Sequence, residues 1–140
     1  MRQFLFILIF TFLISCSCEP EQIAHYAFKG MEALIGQGVL PSEEIRQLGK
    51  FEGMNVSINQ SSEKGAFIQL KLTNGDPTLL GGQREILARK CAEIYLRDFE
   101  NSKKFDSILI QFIQIDSSNP ENIAMEEYEF QIKDFNLQDP

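Results

Sequence analysis

Enzymes need nucleophiles, bases, metal ligands or anion cradles at workable spacing, and this chain offers few of each. It has one histidine, His25, and three cysteines, Cys16, Cys18 and Cys91. A histidine base requires an orienting carboxylate and a nucleophile nearby. The neighbours of His25 on adjacent helical turns are Gln22 and Lys29, so it reads as a solvated helix residue. A Cys91 nucleophile would need a base to lower its pKa. It falls instead within an apolar helical stripe, where cysteine behaves as a small hydrophobe. Gly81-Gly82 stands ahead of a helix, where backbone N–H groups can hold an anion, yet no Gly-Lys-Ser/Thr follows. Asp116 and Glu127 occupy the first and twelfth positions of a calcium-type loop, but Glu121 stands where its sharp turn demands glycine. Neither a Gly-x-Ser-x-Gly elbow nor a His-Glu-x-x-His pair occurs. No catalytic residue, cofactor or metal ligand is therefore assigned.

Charge narrows the partners. The formal charge is −7 and the isoelectric point about 4.7. Nucleic-acid binding requires basic surface to neutralise phosphates, and docking on anionic lipid requires a basic patch. Both are excluded. Asn55-Val56-Ser57 and Asn59-Gln60-Ser61 fit the glycosylation sequon, which matters only on a eukaryotic secretory route.

The N-terminus carries the most specific signal. Arg2 gives a positive start, and Phe4 to Ile14 is apolar apart from Thr11. A membrane-spanning helix needs about 20 apolar residues, and this run is about half that. A short apolar run behind a positive start and ahead of small residues is the pattern of a secretory signal peptide. Leu13-Ile14-Ser15-Cys16 then resembles the lipobox of bacterial lipoproteins, with leucine three residues before the cysteine and a small residue directly before it. The resemblance covers the targeting segment alone. It implies a diacylglycerol on the Cys16 thiol, cleavage between Ser15 and Cys16, and acylation such as palmitate on the new amino group. Ordinary cleavage using Ser15 and Ser17 as the small pair is the alternative, and it would release a soluble secreted chain beginning at Cys18. With residues 1–15 removed, 125 residues remain, and loss of Arg2 takes the formal charge to −8. The chain divides into signal peptide (1–15), lipidated cysteine and tether (16–22), and one domain (23–140). That is enough for a proper core.

The domain's elements follow from periodicity. Glu21 to Ile35 reads as a helix, closed by Gly36 and Gly38. Pro41 to Leu48 adds a short helical turn with Ser42 as N-cap. Met54, Val56 and Ile58 alternate with Asn55, Ser57 and Asn59, and Ala66 to Thr73 alternates likewise, so the two form a hairpin. Asn74-Gly75-Asp76-Pro77 stops the second strand. Gln83 to Glu100 is a helix with Leu87, Ala88, Cys91, Ile94, Tyr95 and Phe99 inward and Glu85, Arg89, Glu93 and Arg97 outward. Phe105 to Asp116 is apolar on both faces and belongs at the centre of a sheet. After a turn at Ser117 to Pro120, Ala124 to Phe135 returns with Tyr128, Phe130 and Ile132 inward and Glu127, Glu129, Gln131 and Lys133 outward.

The expectation is an α+β fold of α-β-β-α-β-β order, with an antiparallel four-stranded sheet and helices packed on one face. Its expected role is that of a lipid-anchored cell-envelope module, held by the membrane on the exported side, that binds a protein or envelope polymer. A small envelope hydrolase or transferase with a site assembled from scattered polar residues is the alternative.

Overall fold

The computed structural model describes residues 30, 32–62 and 65–137. The expected signal peptide, the tether and most of the first expected helix lie outside them. Of a first unit ending at Leu34, Gly30 and residues 32–34 are helical. The second unit, Ile35–Pro140, holds the sheet.

Its elements are α1 (Glu43–Gly49), β1 (Gly53–Ser61), β2 (Gly65–Thr73), a single helical turn α2 (Pro77–Leu80), α3 (Arg84–Asp98), β3 (Ser107–Asp116) and β4 (Asn119–Gln131). Short 3-10 turns follow α3 at Ser102–Lys104 and β4 at Ile132–Asp134. The four strands form one sheet in chain order. The α+β class agrees with the sequence, and the element order agrees in part: two hairpins flank a long helix, whereas most of the first expected helix lies outside the described residues and the turn α2 was not expected. The antiparallel sheet does not: β1–β2 and β3–β4 are antiparallel hairpins, but β2 and β3 run parallel, with Phe67 opposite Ser107 and Thr73 opposite Ile113. The sheet is mixed. The 33-residue connection between β2 and β3 carries α3 back along the sheet, so β3 starts at the end where β2 started.

Strand alternation sorts the sheet into two faces. The first presents Ile68, Leu70 and Leu72 from β2 and Ile108, Ile110 and Phe112 from β3, all buried. Against it lie Ala88, Cys91, Ala92, Tyr95 and Phe99, also buried. Helix-to-sheet contacts seen at Arg84–Glu126 and Arg89–Phe130 fall on this face, as does the stacking of Phe51 on Phe112. The outward residues expected of α3 (Glu85, Arg89, Glu93, Arg97) are all exposed. Leu87 is half-buried, whereas Ala92 and Leu96 join the core.

Close approaches tie the periphery to this core. Gly38 sits at φ +74, and a Cβ there would lie 1.9 Å from the Asp98 carbonyl oxygen, so only glycine fits. Alongside, the Tyr95 hydroxyl donates to Val39 O at 2.8 Å, and Asn101 Nδ2 donates to Ile35 O at 2.6 Å. Ser42 occupies the expected N-cap position, and its carbonyl accepts from Ile45 N. Its hydroxyl makes no capping bond and is buried without a partner. The cap that works belongs to α2: the Asp76 carboxylate accepts from Thr78 N at 2.9 Å and Thr78 Oγ1 at 2.6 Å. Those bonds, with Lys50 at 3.2 Å, hold the Asp76 carboxyl at about 2, below its ordinary value.

Candidate binding surface

Of the residues singled out for chemistry, Cys16, Cys18 and His25 lie outside the described residues. Cys91 is wholly buried in α3. Burial pushes its thiol up to about 12, against a small opposing effect from Lys90. A thiol held protonated in the core is a packing element rather than a nucleophile. Cys91 is expected to resist a thiol reagent in the folded chain at pH 8 and to react once urea opens the fold. Cys91→Ala should cost about 1 kcal/mol in urea unfolding. Fast labelling at Cys91 in the folded chain, with Cys18 replaced by serine, would contradict this.

Asp116 turns inward on its own hairpin. Its Oδ1 accepts from Ser118 N at 2.8 Å and from Ser118 Oγ at 2.6 Å, so its carboxylate closes a turn. Glu121 and Glu127 belong to β4. Among the described residues no group of three histidine, cysteine, aspartate or glutamate side chains is placed to hold a metal ion. Gly81-Gly82 leads into α3 through Gln83, which makes no side-chain cap.

A small cavity of about 220 Å³ opens beside α2, lined by Leu80, Arg84, Phe112, Gln114, Met125 and Glu126 among others. Arg84 pairs with Glu126 at its rim, and the Tyr128 hydroxyl donates to Glu126 at 3.0 Å. Burial, then the hydrogen bond to Glu126 and its charge, raises the Tyr128 pKa, so its hydroxyl stays a proton donor. The cation and the carboxylate satisfy each other there. No free base faces a nucleophile in this cavity.

The second face of the sheet is organised differently. The register lays Asn55, Lys71, Gln111 and Glu127 in one row across the strands, and Ser57, Gln69, Leu109 and Glu129 in the next. Side chains on this face bond to one another. Gln111 Nε2 donates to Glu127 Oε1, Ser107 Oγ to Glu129 Oε1 at 3.1 Å, and Ser57 Oγ to Gln69 Oε1 at 3.1 Å. Ser107 and Gln111 are buried at the centre, 1% and 5% exposed. The Gln111 carbonyl oxygen has no partner. Leaving a buried amide oxygen unpaired costs about 1–3 kcal/mol, which marks Gln111 as the polar centre of this face.

Beyond that row the face turns apolar. Ile115 pairs with Ile123 and Ile113 with Met125, forming a square at the β3–β4 end. Ile123 and Met125 are each 56% exposed. Sequence reading placed Glu127 and Glu129 outward, and both are exposed on this face. It missed Gln111, whose one signal is a glutamine in the middle of the apolar run Ile108 to Ile115. It also missed Ile123 and Met125, which flank Ala124 and lie before the expected strand start or at its edge.

Among the described residues no helix is long and apolar enough to cross a membrane. No protein-family model, curated protein or solved structure matches this chain.

Proposed function

We propose that this chain is an exported bacterial cell-envelope protein, anchored by lipid on Cys16, that acts as a non-catalytic module binding a protein partner. The sequence Leu13-Ile14-Ser15-Cys16 supports the anchor, and the acidic charge supports a partner other than nucleic acid. The binding reading rests on the second face of the sheet. A largely polar surface of amides, hydroxyls and the Glu127 and Glu129 carboxylates spans four strands beside an apolar square whose Ile123 and Met125 are more than half exposed. Transient protein interfaces combine such an apolar centre with a polar surround. A tether of a few polar residues would hold that surface close to the membrane, where its partner is met.

The test uses the full-length chain in the cells that produce it. A photo-reactive residue in place of Ile123 is expected to cross-link to one discrete partner, and the same residue in place of Lys90, exposed on α3, is not. Adding Met125→Lys should lower the Ile123 cross-link at least tenfold without moving the thermal midpoint. Equal labelling from both positions, or a yield indifferent to Met125→Lys, would overturn the assignment of this face.

A further inference from the structure

β1 is an edge strand of nine residues, GMNVSINQS, and it carries no charged residue and no proline. Its register with β2 runs unbroken from Gly53–Thr73 to Ser61–Gly65, with no bulge. Soluble proteins ordinarily blunt a sheet edge with charge, proline or a bulge, because the unpaired backbone groups recruit another strand. The opposite edge is blunted in that way: β4 holds Pro120 and four glutamates, Glu121, Glu126, Glu127 and Glu129. β1 has none of these devices.

Which backbone groups point outward follows from the neighbouring ladder. Ala66 O accepts from Asp106 N, and Asn74 N donates to Ile113 O. Even-numbered residues of β2 thus turn their N–H and C=O groups to β3, and odd-numbered ones turn theirs to β1. Their β1 partners are Gly53, Asn55, Ser57, Asn59 and Ser61. Met54, Val56, Ile58 and Gln60 are left with backbone groups directed away from the sheet.

We infer that β1 pairs antiparallel with β1 of a second copy, in the register that sets Ser57 opposite Ser57. That register is the one that uses all four outward residues, as Val56–Ile58 and Met54–Gln60 pairs repeated across a two-fold axis. Each hydrogen-bonded pair exchanges two bonds, so about eight link the copies. The side chains match as well. Val56 and Ile58 sit on the first face, where Val56 is half-buried and Ile58 is 39% exposed. Pairing sets each against the other's counterpart and extends the apolar layer across the axis. On the second face Asn55 meets Asn59, amide to amide. Charge selects the second copy's edge too: on a chain of −7, β4 against β4 would oppose rows of glutamate, whereas β1 against β1 opposes none.

Ser57 falls at a non-hydrogen-bonded position in this pairing, where facing Cα atoms lie about 4.5 Å apart, within disulfide range. Asn55 is displaced from its own copy by four residues along the strand, about 13 Å, too far for a disulfide. The experiment takes the full-length chain carrying Cys18→Ser, purified in mild detergent and oxidised, with Ser57→Cys, Asn55→Cys or Asn59→Cys added singly. Ser57→Cys should yield a covalent dimer at least tenfold over the other two and over the chain without an added cysteine. In sedimentation, Ser57→Lys in the otherwise native chain should weaken self-association at least tenfold. Far-UV circular dichroism identifies any variant that has lost the fold. Folded Ser57→Cys chains that stay monomeric, or that cross-link no better than Asn55→Cys, would overturn the proposal, as would native self-association unmoved by Ser57→Lys. The outcome at Ile123 leaves this test unaffected, because Ile123 and Met125 lie on β4, at the opposite edge of the sheet from β1.

Discussion

Replacing Phe51 by alanine should lower the unfolding free energy by about 4 kcal/mol, the size expected for a fully buried phenylalanine. The urea midpoint should fall with no change in slope. Phe51 is 2% exposed and joins three parts of the fold. Its ring stacks on Phe112 of β3, centroids 5.8 Å apart and 12° from parallel. It also occupies the space above Gly49 and Gly75, where added Cβ atoms would lie 2.3 and 2.7 Å from its ring. Against a typical total stability of about 5–15 kcal/mol, this one ring is a large share. Gly75→Ala should cost about 1–3 kcal/mol by overpacking against the ring. That cost should fall when Phe51→Ala is already present, leaving only the contact with Leu80 Cδ1 at 2.9 Å, a coupling that two residues out of contact would not show.

The sequence carried the helices and strands well where one physical rule decides them. The 3.6-residue stripe of α3 is read from Leu87, Ala88, Cys91, Ile94, Tyr95 and Phe99, and all but the half-buried Leu87 are in the core, because burial of one helix face requires it. The two-faced apolarity of Ile108 to Ile115 placed β3 between two neighbours, as it is. The direction of β3 was not legible in the same way. Alternation states which residues face the core, and it is identical for a strand entered from either end. Only the path of the connection decides, and α3 brings the chain back. The start of β4 was missed because Pro120 reads as a stop. On an edge strand its missing N–H costs no ladder bond, so the strand begins at Asn119.

The surface was the least legible part. Alternation puts Gln111 and Gln114 on opposite faces of β3 but does not say what meets them: Gln111 lies buried beside Glu127, while Gln114 donates to Gly75 O at 2.9 Å. Their environments are set by β4 and by the β2–α2 corner, both remote in sequence. The undefended edge of β1 was hidden for a related reason. An uncharged alternating strand is unremarkable in the middle of a sheet, and becomes a recruiting surface only once the strand order leaves it outermost.

The largest effect on behaviour is expected at the proposed anchor. One acyl chain holds a protein only marginally, at about 0.8 kcal/mol for each buried methylene, and two or more hold it durably. Cys16→Ser should therefore abolish palmitate labelling of the chain. It should also either release the protein from the membrane fraction, lowering partitioning by more than about a thousandfold, or leave the precursor uncut. The most direct single measurement is the intact mass of the mature protein from the cells that make it. The account predicts a chain that begins at Cys16 and carries the added mass of a diacylglycerol, with or without a further acyl group. A chain beginning at an unmodified Cys18 would contradict it, and would make this protein a soluble secreted one.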